Sequence, residues 1–138
     1  MKTLQPAGWA PPRGYSNGMA ARGTTVAIAG QVGWNAECRF EHADFAGQAR
    51  QALANVLAVL AEAGGGPQHV VRMTWYVVDK REYLQAGKAV GAAYRELMRG
   101  PDGAVCYPAM SAVQVTALIE DDARLEIEAT AVIPDPAP

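Results

Sequence analysis

The sequence predicts an α+β domain in which a mixed sheet of four or five strands carries two helices on one face. Three observations lead there. Period-two alternation rich in β-branched residues recurs along the chain, helical periodicity takes over in two segments between, and two helices cover only one face of such a sheet. The strongest alternation lies near the C-terminus. In Ala123–Ile133, Leu125, Ile127, Ala129, Ala131 and Ile133 point one way while Arg124, Glu126, Glu128 and Thr130 point the other. Tyr107–Leu118 alternates as well, and the polar Glu120-Asp121-Asp122 between the arms suits a turn, so they read as a β-hairpin. Two carboxylates on the outward face of a strand are unusual enough to ask what they meet.

From the N-terminus, residues 1–14 read as an irregular arm, since Gln5 to Gly14 hold three prolines and two glycines. Met19–Arg22, a turn at Gly23 and Thr25–Ala29 suggest a first hairpin, which ends at Gly30-Gln31-Val32-Gly33-Trp34-Asn35. The glycine before Gln31 permits close approach of a ligand to the backbone. After a polar loop, Asp44 is the N-cap of a helix that buries Phe45, Ala49, Ala52, Leu53, Val56, Leu57 and Leu60. Gly64-Gly65-Gly66-Pro67 closes this helix; a phosphate cradle would instead follow a strand and open a helix. His69 to Val78 is the longest strand, with Val71, Met73, Trp75 and Val77 on one face and Arg72, Thr74 and Tyr76 on the other. Asp79 and Glu82 fit a capping box for a second helix that buries Tyr83, Ala86, Val90, Tyr94 and Leu97, where Gly87 and Gly91 suggest close packing on the sheet. The order is β-β-α-β-α-β-β. Its uncovered face is expected to present Arg72, Thr74, Tyr76, Met110, Gln114, Thr116, Glu126, Glu128 and Thr130, a mixture that favours self-association over plain solvation.

With 138 residues the chain is one domain by length, 1–138, with a short tail at 134–138, and it is large enough for a core without metal or disulfide. A net charge of -2 lacks the basic footprint of a nucleic-acid binder. Cys38 and Cys106 form no CxxC pair, so two free thiols in a reducing compartment are expected, with the cytoplasm as the location. Met1-Lys2-Thr3-Leu4 runs into Gln5 and Pro6 rather than an apolar signal segment, and no run reaches the ~18 apolar residues of a membrane span. No HxH, HExxH or Cys/His cluster is present, so neither metal nor cofactor is expected.

Six blocks, in order, resemble the RidA/YjgF family: Gly14–Gly18, Ala29–Val32, Gln51–Leu57, Val70–Val77, Tyr107–Val115 and Leu125–Ala129. The resemblance implies a chorismate-mutase-like fold, a homotrimer packed through its sheets, and small-molecule clefts between subunits. It also implies hydrolysis of enamines and imines to keto compounds and ammonia. In that family an arginine of a Pro-x-Arg-Ser motif holds the substrate carboxylate and a glutamate orients the attacking water. Here the glutamate matches Glu126, but the arginine is replaced by Met110 in Pro108-Ala109-Met110-Ser111. Tyr15 and the Gly30-Gln31 backbone match, whereas Ala29 stands for a serine and Gly91 for an asparagine.

The loss of an arginine–carboxylate pair removes charge-assisted hydrogen bonds of roughly 1.5–3 kcal/mol each. The expectation is therefore a ligand that is less polar at that end, or another cation in the arginine's place, with Arg13 and Arg72 as candidates. Each arginine also reads as an ordinary surface or interface residue. Glu126 reads equally as a water-orienting group and as half of an interface salt bridge with Arg72 or Arg124, and Glu128 as structural. Trp34 either walls the cleft or covers its own loop. Two functions remain: a deaminase-type hydrolase, or a non-catalytic module that binds a metabolite or, in a chaperone-like role, a client protein in the same cleft. Endoribonuclease activity fits an acidic chain least.

Overall fold

A computed structural model of the chain describes residues 1–137. Its elements are β1 (Lys2–Leu4), β2 (Gly18–Ala20), β3 (Thr24–Val32), α1 (Phe45–Glu62), β4 (Val70–Val77), α2 (Lys80–Gln85), α3 (Gly87–Leu97), β5 (Ala109–Gln114) and β6 (Leu125–Ile133). The main sheet runs β3-β6-β4-β5, and β1 and β2 form a separate two-stranded ribbon. The helices lie on one face, as the alternation in β6 requires: Leu125, Ile127, Ala129 and Ala131 are buried there while Glu126, Glu128 and Thr130 face away.

Local signals set the ends of α1. The Asp44 carboxylate accepts from the Gly47 N–H at 2.9 Å, which satisfies one of the four free donors of the first turn. At the other end Gly64 has φ +79°. There the Gly64 N–H donates to the Ala61 carbonyl at 2.9 Å and the Gly65 N–H to the Leu60 carbonyl at 3.1 Å, the bond pattern of a Schellman stop. Residues 134–137 have no regular structure, and Pro138 of the expected 134–138 tail lies outside the described residues.

The strand neighbours differ from the expected ones. β5 and β6 are not a hairpin: β5 pairs in parallel with β4, and β6 enters antiparallel between β3 and β4. Parallel neighbours need a crossover long enough to hold a helix, which α2 and α3 provide, so the chain leaving β4 returns beside it before β6 is reached. Alternation says which residues share a face but not which strand lies next door. Similarly, β2 pairs with β1 and not with β3, so the arm expected over 1–14 contains a strand at Lys2–Leu4.

Pairing also sets the phase of β5. Met110 sits opposite the fully buried Met73, and so faces the helices and not the open face; Gln114, opposite Val77, follows it, and Thr116 lies beyond the strand. The second helix is broken at Ala86 (φ -83°, ψ 2°). Asp79 caps it by accepting from the Arg81 N–H at 2.8 Å, but Glu82 does not reach back to complete a capping box; its carboxylate pairs with Arg124 at 2.6 Å. Close packing is not the reason for Gly87 and Gly91. A Cβ at Gly87 would meet nothing within 4 Å, and one at Gly91 would meet only the Arg95 guanidinium, with Nη1 at 3.1 Å.

One buried polar side chain ties the sheet to α1. Gln48, 1% exposed, donates from Nε2 to the His42 and Asp122 carbonyls, each at 3.0 Å, and accepts from the Arg124 N–H at 2.8 Å. It thereby fixes where the chain enters β6. Replacing it with leucine leaves three backbone groups unpaired, each costing about 1–3 kcal/mol where water does not reach it. Gln48→Leu is expected to lower stability by about 2 kcal/mol or more, read as a lower urea midpoint at unchanged slope.

Candidate functional site

The residues singled out in the sequence fall into two groups. The first lies on the open face where β3 meets β6. Between Ile28 and Gln31 the register slips by one residue, a β-bulge at Ala29-Gly30 that leaves this backbone without ladder partners on β6. Gly30 leaves room there for the Glu126 side chain, since a Cβ would lie 2.7 Å from both its Cδ and its Oε2 and would displace the carboxylate. The Glu126 carboxylate is therefore laid across the bare backbone of the bulge. Gln31 turns its amide back to the Ala29 carbonyl at 3.2 Å.

Glu126 has no hydrogen bond or ion pair among the described residues, and neither candidate partner reaches it. Arg124 bonds Glu82 and the Ala43 carbonyl, while Arg72 lies beside Thr74 and Glu128. Glu128 is structural: it accepts the Tyr76 hydroxyl at 2.6 Å, and this hydrogen bond, together with desolvation, pushes the Tyr76 phenol above its ordinary range. Two carboxylates two residues apart thus have different fates. One is tied, the other available.

The second group lies on the helix side. A cavity of about 250 Å³ opens between α2, α3 and β5, walled by Trp75, Tyr83, Val90, Tyr94, Arg95 and Met110, with Gly87 and Gly91 leaving its helical side bare. Tyr94 stacks on Tyr107 with ring centroids 5.4 Å apart and donates its hydroxyl to the Cys106 carbonyl at 2.6 Å. Burial, and secondarily Tyr107, pushes the Tyr94 phenol well above the usual tyrosine value. The Trp75 indole N–H is buried and has no acceptor among the described residues. Tyr15 is held near the mouth by its neighbour: the Ser16 N–H donates to the Pro108 carbonyl at 2.9 Å and the Ser16 hydroxyl to the Tyr107 carbonyl at 2.5 Å.

Other candidates lie outside both groups. Trp34 packs on Phe40 at 5.7 Å, and Asn55 binds the Val32 and Trp34 carbonyls at 3.0 and 2.8 Å, so its place is the cover of its own loop. Arg13 is exposed next to Gly14 at the cavity rim. Arg95 was missed by sequence reasoning. The signal for it is its position four residues after Gly91, one helical turn along the same face. No cluster of three potential metal ligands exists among the described residues, nor is any helix long and apolar enough to cross a membrane.

Within one chain the two groups cannot meet. Glu126 on β6 and Met110 on β5 are separated by β4, which sets them about 10 Å apart across the sheet, and they project from opposite faces.

Residues 7–133 match the family described as endoribonuclease L-PSP. The 2-iminobutanoate/2-iminopropanoate deaminase of Escherichia coli K12 is 34% identical over 110 residues, covering 80% of each chain. A RutC family protein of Haemophilus influenzae is 36% identical over the same length and share. Among solved structures, the Rid-family protein YyfB of Yersinia pestis superposes with a TM-score of 0.77 at 31% identity, covering 96% of this chain and 98% of that one.

The buried phenol makes stability depend on alkaline pH. A tyrosine whose pKa is raised by folding contributes fully below its unfolded value near 10 and loses that contribution as pH rises through the folded value. The urea midpoint is expected to fall above about pH 10, and less steeply in Tyr94→Phe.

Proposed function

The chain belongs to the endoribonuclease L-PSP family, the RidA/YjgF family that its blocks resemble, and from this premise we propose that it is a cofactor-free hydrolase of the deaminase type. Its substrate is a small enamine or imine, held in a cleft that two copies of the chain build together. The observation that carries this reading is the unpartnered Glu126 carboxylate lying across the Gly30 bulge.

A carboxylate in that setting accepts a proton from a bound water as the water oxygen attacks the carbon of a C=N bond. The proton passes to the nitrogen, the C–N bond of the resulting carbinolamine breaks, and the products are a carbonyl compound and ammonia. One water is consumed and no electrons are exchanged. The Gly30 backbone, without a ladder partner on β6, offers hydrogen-bonding groups that hold the water or the substrate beside Glu126. General acid–base assistance of this kind contributes about 10²- to 10⁴-fold.

Assembly follows from the placement of the two groups. Glu126 with Gly30 and Gln31 supplies one wall, and Met110, Gly91 and Tyr15 of a second copy supply the other. A homotrimer meets this need, and it covers a sheet face bearing Tyr76, Val113 and Val132 that the helices leave open. Val113 is 44% exposed in the single chain. One feature favours a second reading, a binding module without turnover: Met110 stands where the family holds the substrate carboxylate with arginine.

Turnover is tested by generating 2-iminopropionate in situ and following its decay. The wild type is expected to be slow, and Met110→Arg to be faster. Glu126→Ala is expected to lose about 100-fold or more. Gly30→Ala, which displaces only the far end of the Glu126 side chain, should lose about tenfold with under about 1 kcal/mol of stability. Activity that survives Glu126→Ala sinks the mechanism, and no turnover by any variant leaves the binding-module reading. Light scattering is expected to give about 44 kDa, three times the 14.6 kDa of the chain; a monomer at micromolar concentration defeats the shared cleft.

A further inference from the structure

We propose that Arg95 is the carboxylate anchor of this protein, and that the cavity behind it selects 2-imino acids with an aromatic or comparably bulky apolar side chain. The inference rests on the deaminase reading above and names its substrate class.

Three observations carry it. The Arg95 side chain folds back along α3 over Gly91, with Nη1 3.1 Å from where a Cβ on that residue would stand, and it has no hydrogen bond or ion pair among the described residues. An arginine held over bare helix at a cavity rim, with its donors unused, is placed to receive an anion. The cavity is also predominantly apolar and aromatic, and Met110 supplies an adaptable wall where a guanidinium would fill the space. Its size admits such a ligand: a closed protein cavity of about 150 Å³ holds benzene, so an open one of about 250 Å³ has room for a single ring with its linking carbon. Finally, Trp75 lines the same cavity, is 3% exposed, and has an indole N–H that lacks an acceptor. That nitrogen is itself shielded from the cavity, so what Trp75 offers a ligand there is its ring, an aromatic wall for a ligand ring to pack against.

These features impose one orientation. With the carboxylate on Arg95 at the rim and the ring inside, the adjacent imine carbon lies at the mouth, the side from which a second copy brings Glu126. The two arginine candidates weighed in the sequence fit less well. Arg72 is on the opposite face beside Glu128, and Arg13 flanks the rim without lining the cavity.

The test separates this inference from the deaminase reading. Binding of cinnamate and of neutral cinnamamide to the full-length protein is measured by calorimetry, and the indole N–H resonance of Trp75 is followed by NMR, assigned with Trp75→Phe. Cinnamate is expected to bind with a shift of that resonance, and to weaken about two- to fivefold in Arg95→Gln while cinnamamide is unchanged. Arg95→Lys should keep part of the affinity. In the coupled assay, the imine of phenylpyruvate is expected to have a kcat/KM at least tenfold above that of pyruvate, and Met110→Arg to reverse the preference. Cinnamate affinity unaltered by Arg95→Gln, or an unmoved Trp75 resonance at saturation, overturns the inference. If binding behaves as stated and neither imine is hydrolysed, the anchor stands and the deaminase reading fails.

Discussion

The structure depends on the insertion of β6 between β3 and β4. That strand is the last to be made and lies inside the sheet, with Leu125 and Ile127 fully enclosed, and each such side chain contributes about 1.5–3 kcal/mol on leaving water. Its position dictates the rest. Ladder bonds to both neighbours hold β3 and β4 in register although the chain never pairs them directly, and the strict two-residue period delivers Glu126 to the face opposite the helices. A slip of one residue would bury two carboxylates and expose the core. Gln48 opposes such a slip by binding the backbone on both sides of Ala123, immediately before the strand begins.

The same insertion divides the candidate site. Because β4 separates β6 from β5, and the sheet is covered by helices on one side only, the free carboxylate and the cavity of Met110 belong to different surfaces of the chain. A ligand small enough for the cavity does not span a sheet.

Much of this was legible in the sequence because it is local. Asp44 before an apolar helical period and the glycine run after it define α1 through backbone valences that must be filled within a turn. The face of each strand followed from alternation wherever one phase was clearly polar, as in β4 and β6. The phase of β5 was not legible, since Ala109, Met110, Ala112 and Val113 offer apolar residues in both phases, and only the pairing with Met73 decides between them. Strand neighbours were equally hidden. The Glu120–Asp122 turn is compatible with a hairpin, but the crossover through α2 and α3 had already taken the place beside β4. Gln48 and Arg95 were missed for a related reason: what each side chain touches comes from a segment distant in sequence or from a cavity that exists only once the sheet has formed.

In the proposed reading, Met110 on the strand where the resembling family has arginine, with Arg95 at the rim, sets what the site discriminates. Position 110 is partly buried, so a guanidinium there would act in a medium that screens it weakly and would rank ligands by charge. Arg95 is exposed, and ion pairs in that setting are worth about 0–1 kcal/mol. Each methylene buried in the cavity contributes about 0.8 kcal/mol, so a six-carbon ring outweighs the anchor several-fold. Affinity then comes from the ring, and the cation mainly orients. The carboxylate must end at the rim because only there does it keep its water and meet the guanidinium. That leaves the neighbouring carbon at the mouth, where hydrolysis requires it. In the proposed assembly, selection and chemistry fall to different copies of the chain, one choosing by size and the other reacting through Glu126.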